Sequence, residues 1–512
     1  MPGRLLQHSD IYSDLEIDAD AIVVGSGAGG AVMASELAEG GLKVLIVEEG
    51  GYHPTSAFNA HAPEMVQRLY RDAGTTMIMG KPNIIFAEGR AVGGSTVING
   101  GMCWRTPERV LKRWNLELGL TGFEPEAVAP YFEKVEARLH VATQAPETVS
   151  RHDLTFKAGA DALGYKSEWN TRNQLHCMGT NNCAFGCPSG GKQSMLVSYL
   201  PNALSHGATL LADTSLRRLV TRGERVIGVE AEVLDPETGT AKAKVKAWAP
   251  VTVLACGATQ TPVLLQRWGL GNSSGQVGRN FTCHPNGKVV ALFDEDVYGW
   301  KGVHQALQVH EFLDEGLIFA AVFVPPSILA MSMPFIGDEM YELASQVNKM
   351  VIAGCLAEDT TTGTIRPGPF GSTLMRYDCD RATFHRVVRG VALACEMLFA
   401  AGARRIYLPI HRLPFIESRR EIHRIYDIDP KPTDFEMMTV HAMGTCRMSP
   451  DPATGVVDGL GRVHDCRGLY IADASIIPTP VSLNPQETIM MLATRQAEGI
   501  LREWPRLRAR RG

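Results

Sequence analysis

Residues 20–48 read DAIVVGSGAGGAVMASELAEGGLKVLIVE, and this stretch decides the fold. A short apolar run, Asp20-Ala21-Ile22-Val23-Val24, enters the turn Gly25-Ser26-Gly27-Ala28-Gly29-Gly30. An alanine-rich segment with helical character follows, and a second apolar run from Lys43 to Val47 ends at Glu48. Strand, GxGxxG turn, helix, strand and terminal acid form one complete βαβ unit for binding a dinucleotide. Glycine permits the tight turn and lets a pyrophosphate lie against the backbone, where the helix N-terminus offers partial positive charge. Glu48 is placed to accept hydrogen bonds from the hydroxyls of an adenosine ribose.

Working outward, a second glycine cluster begins at Gly89 (GRAVGGSTVINGGMCW), with apolar residues on both sides. That setting points to a loop packed close to a ligand rather than one that only solvates. Residues 125–139 predict a helix with Pro125 at its first position and Pro130 awkwardly inside. Residues 209–233 alternate apolar and polar around Arg222-Gly223 and predict a hairpin. Val251 to Ala255 predicts a buried strand leading into another glycine turn at Gly257. From about 288 to 430 strands alternate around one basic helix (382–401), which reads as a separate, substrate-facing layer. The C-terminal part predicts an amphipathic helix with Asn484 at the N-cap and Pro485 at its first position. The final RLRARRG run reads as a solvated basic tail.

The whole chain has 512 residues, enough for two or three folding units. Fifty Lys and Arg against fifty-five Asp and Glu give a net charge of −5, which argues against a polyanion-binding surface and therefore against nucleic acid as a partner. The polar N-terminus shows no apolar run of the kind used for export, so a cytoplasmic location is expected. Residues 316–337 carry no charge over a length that could cross a bilayer. Pro325, Pro326 and Pro334 interrupt them, so a buried strand up to Val324 and then an apolar loop is expected, with no transmembrane segment. Eleven cysteines without an export signal indicate a reducing compartment. Three of them, Cys177, Cys183 and Cys187-Pro188, cluster in a polar loop. They are candidate iron–sulfur ligands, with reduced structural cysteines or a disulfide as the alternatives.

Four separated motifs together resemble the glucose–methanol–choline (GMC) oxidoreductases, flavoenzymes that bind FAD and oxidise alcohols. They are the unit from Gly25 to Glu48; the run Gly89-Arg90-Ala91-Val92-Gly93-Gly94-Ser95-Thr96-Val97-Ile98-Asn99; the run Gly257-Ala258-Thr259-Gln260-Thr261-Pro262 with Val277-Gly278-Arg279-Asn280; and His441-Ala442-Met443-Gly444-Thr445 with Asp473-Ala474 and Asn484-Pro485-Gln486-Glu487-Thr488. The resemblance implies an α/β protein. A Rossmann-like FAD-binding domain (15–120, 205–287 and 431–512) would join a substrate domain built on an antiparallel sheet (121–204 and 288–430). It implies cofactor contacts from Gly25, Gly27, Ala28, Gly29, Gly30, Glu48, Arg90, Gly93, Gly94, Ser95, Asn99, Gly100, Asp473, Ala474, Pro485 and Thr488.

His441 and Asn484 match the family's catalytic pair. Oxidising an alcohol removes a proton from oxygen and a hydride from the adjacent carbon. The expected roles are proton abstraction by His441, positioning of the substrate oxygen by Asn484, and hydride transfer to flavin N5. The expected partners are a small-molecule alcohol, on the apolar residues 317–340 a long-chain or aromatic one, and oxygen or a redox partner as electron acceptor. Two alternatives stand beside this reading: an FAD-containing hydroxynitrile lyase, and the catalytic subunit of an iron–sulfur-linked sugar or alcohol dehydrogenase. The latter rests on the similar cysteine spacing in such subunits.

Overall fold

The structure is a computed structural model that describes residues 3–330, 333 and 335–509. A parallel sheet covered by helices buries both faces of its strands, and Ala21–Val24, Val44–Val47 and Val251–Leu254 are buried along their whole length. These strands lie in a six-stranded parallel sheet. Its order is Arg4–Leu6, Thr209–Leu211, Val44–Val47, Ala21–Val24, Val251–Leu254 and Leu469–Ile471. The first βα turn leaves from the centre, where the neighbouring strands belong to different parts of the chain. Ligands bind at such a switch point in doubly wound sheets.

The helix Ala28–Glu39 packs on this sheet and against the C-terminal helix Gln486–Ala509. The contact is close. A Cβ on Gly29 would stand 1.6 Å from the Ala472 carbonyl oxygen and 3.3 Å from Ile489 Cγ2. Gly29 therefore brings the first turns of two helices and the end of the strand Leu469–Ile471 to one place. The predicted hairpin is divided: Thr209–Leu211 joins the parallel sheet, and only Thr214–Arg222 and Arg225–Leu234 pair antiparallel around Gly223. The residues before the turn at Asp213 pair with a buried neighbour, which alternation alone does not reveal.

The second layer is a ten-stranded, largely antiparallel sheet centred on Asn286–Leu292 and Met350–Ala357. The helix Arg381–Ala400 lies on it. Asp380 caps this helix by accepting from the Thr383 N–H at 2.8 Å, and Gly390 allows close approach, since a Cβ there would be 2.7 Å from Cys355 Sγ. Strands Ile84–Phe86 and Met437–Thr439 pair in parallel within the same sheet. We propose the two-unit division of the chain with these two strands assigned to the sheet-bearing unit. The expected strand up to Val324 ends at Ala321, because Pro325 and Pro326 start a short helix, Pro326–Ala330, instead of a loop. Residues 331, 332 and 334 of the apolar stretch lie outside the described residues, as do 510–512 of the basic tail; the helix carries the preceding Arg506 and Arg508. Among the described residues no helix is long and apolar enough to cross a membrane.

Candidate active site

Two glycine loops meet at the C-terminal edge of the parallel sheet. Gly25 takes φ +97°, and a Cβ there would lie 2.3 Å from the Ala255 carbonyl oxygen. Gly94, at φ +56°, approaches so near that its Cβ would be 2.8 Å from Gly27 Cα. A Cβ on Gly27 itself meets only Gly94 Cα, at 3.9 Å, so the space in front of this turn is open. Gly27 precedes Ala28 at the start of a 12-residue helix that no side chain caps. Gly30 is held against Gly25, where a Cβ would be 2.0 Å from the carbonyl oxygen.

Ser26, which the motif leaves unspecified, ties these parts together. Its hydroxyl donates to Glu48 Oε2 at 2.7 Å and accepts from the Gly93 N–H at 3.0 Å. Its backbone N–H also donates to Glu48 Oε2, while Gly50 N–H donates to Oε1. Glu48 is buried, which pushes its carboxyl above the ordinary range, yet Oε1 keeps a lone pair for one further donor.

The remaining expected cofactor residues divide by what they touch. Ser95 Oγ accepts from Gly89 N–H, Asn99 donates to Gln486 Oε1 at 2.7 Å, and Gly100 faces the Gln305 amide. Arg90 is half exposed beside Glu49. Asp473 accepts from Gly257 N–H, the Thr261 hydroxyl and Ser475 N–H, and so ties Ala474 to the helix Gly257–Trp268. Thr488 shares a hydrogen bond with Thr106 at 2.8 Å. The open turn, the uncapped helix start and the acid at the second strand end together fit FAD; Gly25, Gly27, Gly30 and Glu48 would hold its ADP half, and Gly93, Gly94 and Asn99 the stretch beyond.

His441 and Asn484, forty-three positions apart, meet: Asn484 Nδ2 lies 3.4 Å from His441 Nε2. His441 follows the strand Met437–Thr439, and the Thr439 hydroxyl accepts from its backbone N–H. Asn484 does not cap the C-terminal helix, contrary to expectation. That helix starts at Gln486, the Pro485 carbonyl accepts from Ile489 N–H, and the Asn484 carboxamide turns instead to His441 and Gln308.

A third residue was missed. His284 Nδ1 is 3.1 Å from His441 Nδ1, with the rings edge to face. Nothing in the run CHPNG distinguishes this histidine from the others in the chain. It sits at φ 48°, held there by Asp359, whose two oxygens accept the Cys283 and His284 N–H groups at 2.8 and 2.7 Å. Burial pushes His284 down to about 3 and, together with the neighbouring imidazole, holds His441 well below the usual histidine range. Both rings are therefore neutral near pH 7. Since Asn484 Nδ2 can only donate, His441 Nε2 accepts, and the His441 proton resides on Nδ1 toward His284. The arrangement presents an unprotonated imidazole nitrogen beside an amide N–H.

Cys177, Cys183 and Cys187 line one cavity, which Arg172 and Lys192 share. Among the described residues, no group of three or more His, Cys, Asp or Glu is arranged to hold a metal ion. Cys183 Sγ faces the Arg172 guanidinium at 3.4 Å, and Cys187 Sγ faces Ser189 and the Lys192 N–H. Lys192 Nζ donates to the carbonyls of Val97, Asn99 and Cys183, clamping this loop on the second glycine loop. All eleven cysteines are free, so no disulfide joins Cys177, Cys183 or Cys187.

Next to the pair, Glu487 is 1% exposed, and burial beside Glu136 pushes its carboxyl up to about 9. A group whose folded pKa is raised stabilises the fold below its unfolded value, about 4.3, and loses that contribution as pH rises toward the folded one. Glu487→Gln should therefore raise Tm by about 1–2 °C at pH 8 and leave it unchanged at about pH 4.5 in thermal melts.

The sheet order, the dinucleotide turn and the imidazole–amide pair define an FAD-binding oxidoreductase. The chain belongs to the GMC oxidoreductase family. Matches described as GMC oxidoreductase cover residues 66–286 and 363–493, and one described as an FAD binding domain covers residues 20–62. An uncharacterised GMC-type oxidoreductase of Mycobacterium tuberculosis is 34% identical over 94% of this chain and 75% of its own length. A long-chain-alcohol oxidase of Arabidopsis thaliana is 25% identical over 93% of this chain and 66% of its own. The solved pyridoxine 4-oxidase of Mesorbium loti shares the fold with TM-score 0.70 at 18% identity, covering 94% of this chain and 98% of that one.

Proposed function

We propose that the protein oxidises an alcohol to a carbonyl compound, with His441 as general base and Asn484 as the group that orients the substrate oxygen. The observation that carries the reading is the meeting of His441 Nε2 and Asn484 Nδ2 at 3.4 Å in a buried setting. In the free protein the two groups satisfy each other. A substrate hydroxyl entering between them donates its proton to Nε2 and accepts from Nδ2, so one oxygen engages both. His284 accepts the Nδ1–H and so holds the basic nitrogen toward the substrate. Bound FAD would supply the hydride acceptor. Burial by the surrounding sheet excludes water from the forming alkoxide and strengthens the amide contact to it.

The substrate we propose has an apolar carbon skeleton. The residues beyond the strand Leu317–Ala321, among them Val322, Val324, Leu329, Met350 and Ile352, pack as apolar core around a void of about 10 Å3 that His152 also lines, room for one water. A relative is described as a long-chain-alcohol oxidase, which supports the same class, and we propose oxygen as the acceptor on that ground. The test is an anaerobic series of alcohols of increasing chain length. Bleaching of the yellow protein, reversed on admitting air, is expected; absence of bleaching by every alcohol defeats the proposal, and turnover of a cyanohydrin without bleaching would assign a lyase instead.

Because His441 is held well below the usual histidine range, it stays in its basic form through neutrality. Protonation removes the base, so the rate falls only as pH drops through that lowered value. Flavin reduction followed by stopped flow is expected to be level from about pH 8 to about 6.5, with its acidic limb below that window.

A further inference from the structure

Asn484 is oriented from behind by a line of side chains on one face of the ten-stranded sheet. Gln308 and His310 sit two positions apart at the strand Leu307–Val309 and its end, so they share a face. Glu168 lies opposite Gln308 in the antiparallel register and reaches His310 diagonally. His310 Nε2 is 3.0 Å from Gln308 Oε1, Gln308 Nε2 is 3.3 Å from Asn484 Oδ1, and His310 Nδ1 is 3.4 Å from Glu168 Oε2. Gln308 is 2% exposed and His310 8%, with the Trp104 ring against the imidazole at 4.8 Å.

We propose that Gln308 is a positioning residue that selects the orientation of the Asn484 carboxamide; this deepens the alcohol-oxidation reading and rests on it. The direction of each hydrogen bond follows from the groups available. Gln308 Oε1 and Glu168 Oε2 can only accept, so the ring that satisfies both is the one with a proton on each nitrogen, Nε2–H toward Gln308 and Nδ1–H toward Glu168. The Gln308 amide then presents its N–H to Asn484 Oδ1. With Oδ1 engaged, Asn484 turns Nδ2 toward His441, which leaves Nε2 as the acceptor and Nδ1 as the proton carrier. Without Gln308 the carboxamide is free to rotate by half a turn and place an oxygen against the basic nitrogen. That orientation favours a proton on Nε2 and removes the donor for the substrate oxygen.

The test compares Gln308→Met, which keeps the volume and loses both the donor to Asn484 and the acceptor from His310, with Asn484→Ala and the double variant. The flavin-loaded proteins are reduced anaerobically with the best alcohol of the series. Gln308→Met is expected to lower the limiting reduction rate about 5- to 50-fold, with KM and flavin content little changed and Tm lowered slightly by the unpaired His310 N–H. It should add nothing further in the Asn484→Ala background, because it acts through that side chain. Losses that multiply in the double variant, or an unchanged rate in Gln308→Met, overturn the proposal. An arm independent of turnover uses 15N-histidine labelling: His441 should show its proton on Nδ1 in the wild type and a mixture of tautomers in Gln308→Met. If no alcohol reduces the wild type, the alcohol-oxidation reading fails while the labelling still decides the role of Gln308; an identical His441 signal in both proteins overturns it.

Discussion

His441→Ala is expected to lower the rate of flavin reduction by alcohol about a hundred- to ten-thousandfold, while the purified protein stays yellow. The size of the effect follows from what the side chain would do. Its Nε2 is the one basic nitrogen beside the Asn484 amide, and its lowered pKa keeps it unprotonated near neutrality. His284 cannot replace it. That ring reaches the site only through the His441 Nδ1 contact, and burial pushes it down to about 3, which makes it a poor base. Retained flavin is expected because none of the glycine-loop contacts passes through His441. The measurement is anaerobic stopped-flow reduction beside a flavin-to-protein ratio from the absorption spectrum. A variant that reduces as fast as the wild type removes His441 from the mechanism, and a colourless one would show that the histidine serves the cofactor site instead.

Gly27→Val should abolish copurification of FAD without unfolding the protein. The glycines of the first loop are not equivalent. At Gly25 and Gly30 a Cβ would collide with backbone oxygens at 2.3 and 2.0 Å, so substitutions there damage the turn itself. Gly27 has φ −73° and ψ −162°, an extended conformation any residue adopts, and its Cβ would meet only Gly94 Cα at 3.9 Å. A Cβ there meets no clash, and the methyl groups of a valine would extend into the space in front of the helix start, where a pyrophosphate would lie. Circular dichroism and Tm close to those of the wild-type apoprotein are expected, together with loss of the flavin absorption band. A yellow Gly27→Val protein would mean that the cofactor phosphates do not approach this turn.

The βαβ unit was legible because it is local. Strand, turn, helix and acid lie within residues 20–48, and glycine at each tight position is a demand of backbone sterics that any reader of the chain meets. The strand leading into Gly257 and the amphipathic C-terminal helix followed from periodicity and turn residues in the same way, whereas the fold class as a whole came from the family resemblance. His441 and Asn484 were legible only through their resemblance to a family pattern, since a histidine in a loop and an asparagine before proline have ordinary structural readings. The capping role expected of Asn484 failed for that reason. Residue order cannot show that its carboxamide has Gln308 and His441 within reach.

What tertiary structure alone decided is every contact between distant segments. His284 joins His441 because Asn286–Leu292 and Met437–Thr439 are neighbours in one sheet, and that pairing brings residues 157 positions apart to hydrogen-bond distance. Gln308, His310 and Glu168 form a line through the register of two antiparallel strands. Cys177, Cys183 and Cys187 share a cavity with Arg172 and Lys192, and that company is not foretold by their spacing along the chain. Local sterics are written residue by residue in the sequence, whereas proton direction, depressed basicity and side-chain orientation arise from which groups share a buried space, and only the packed chain determines that.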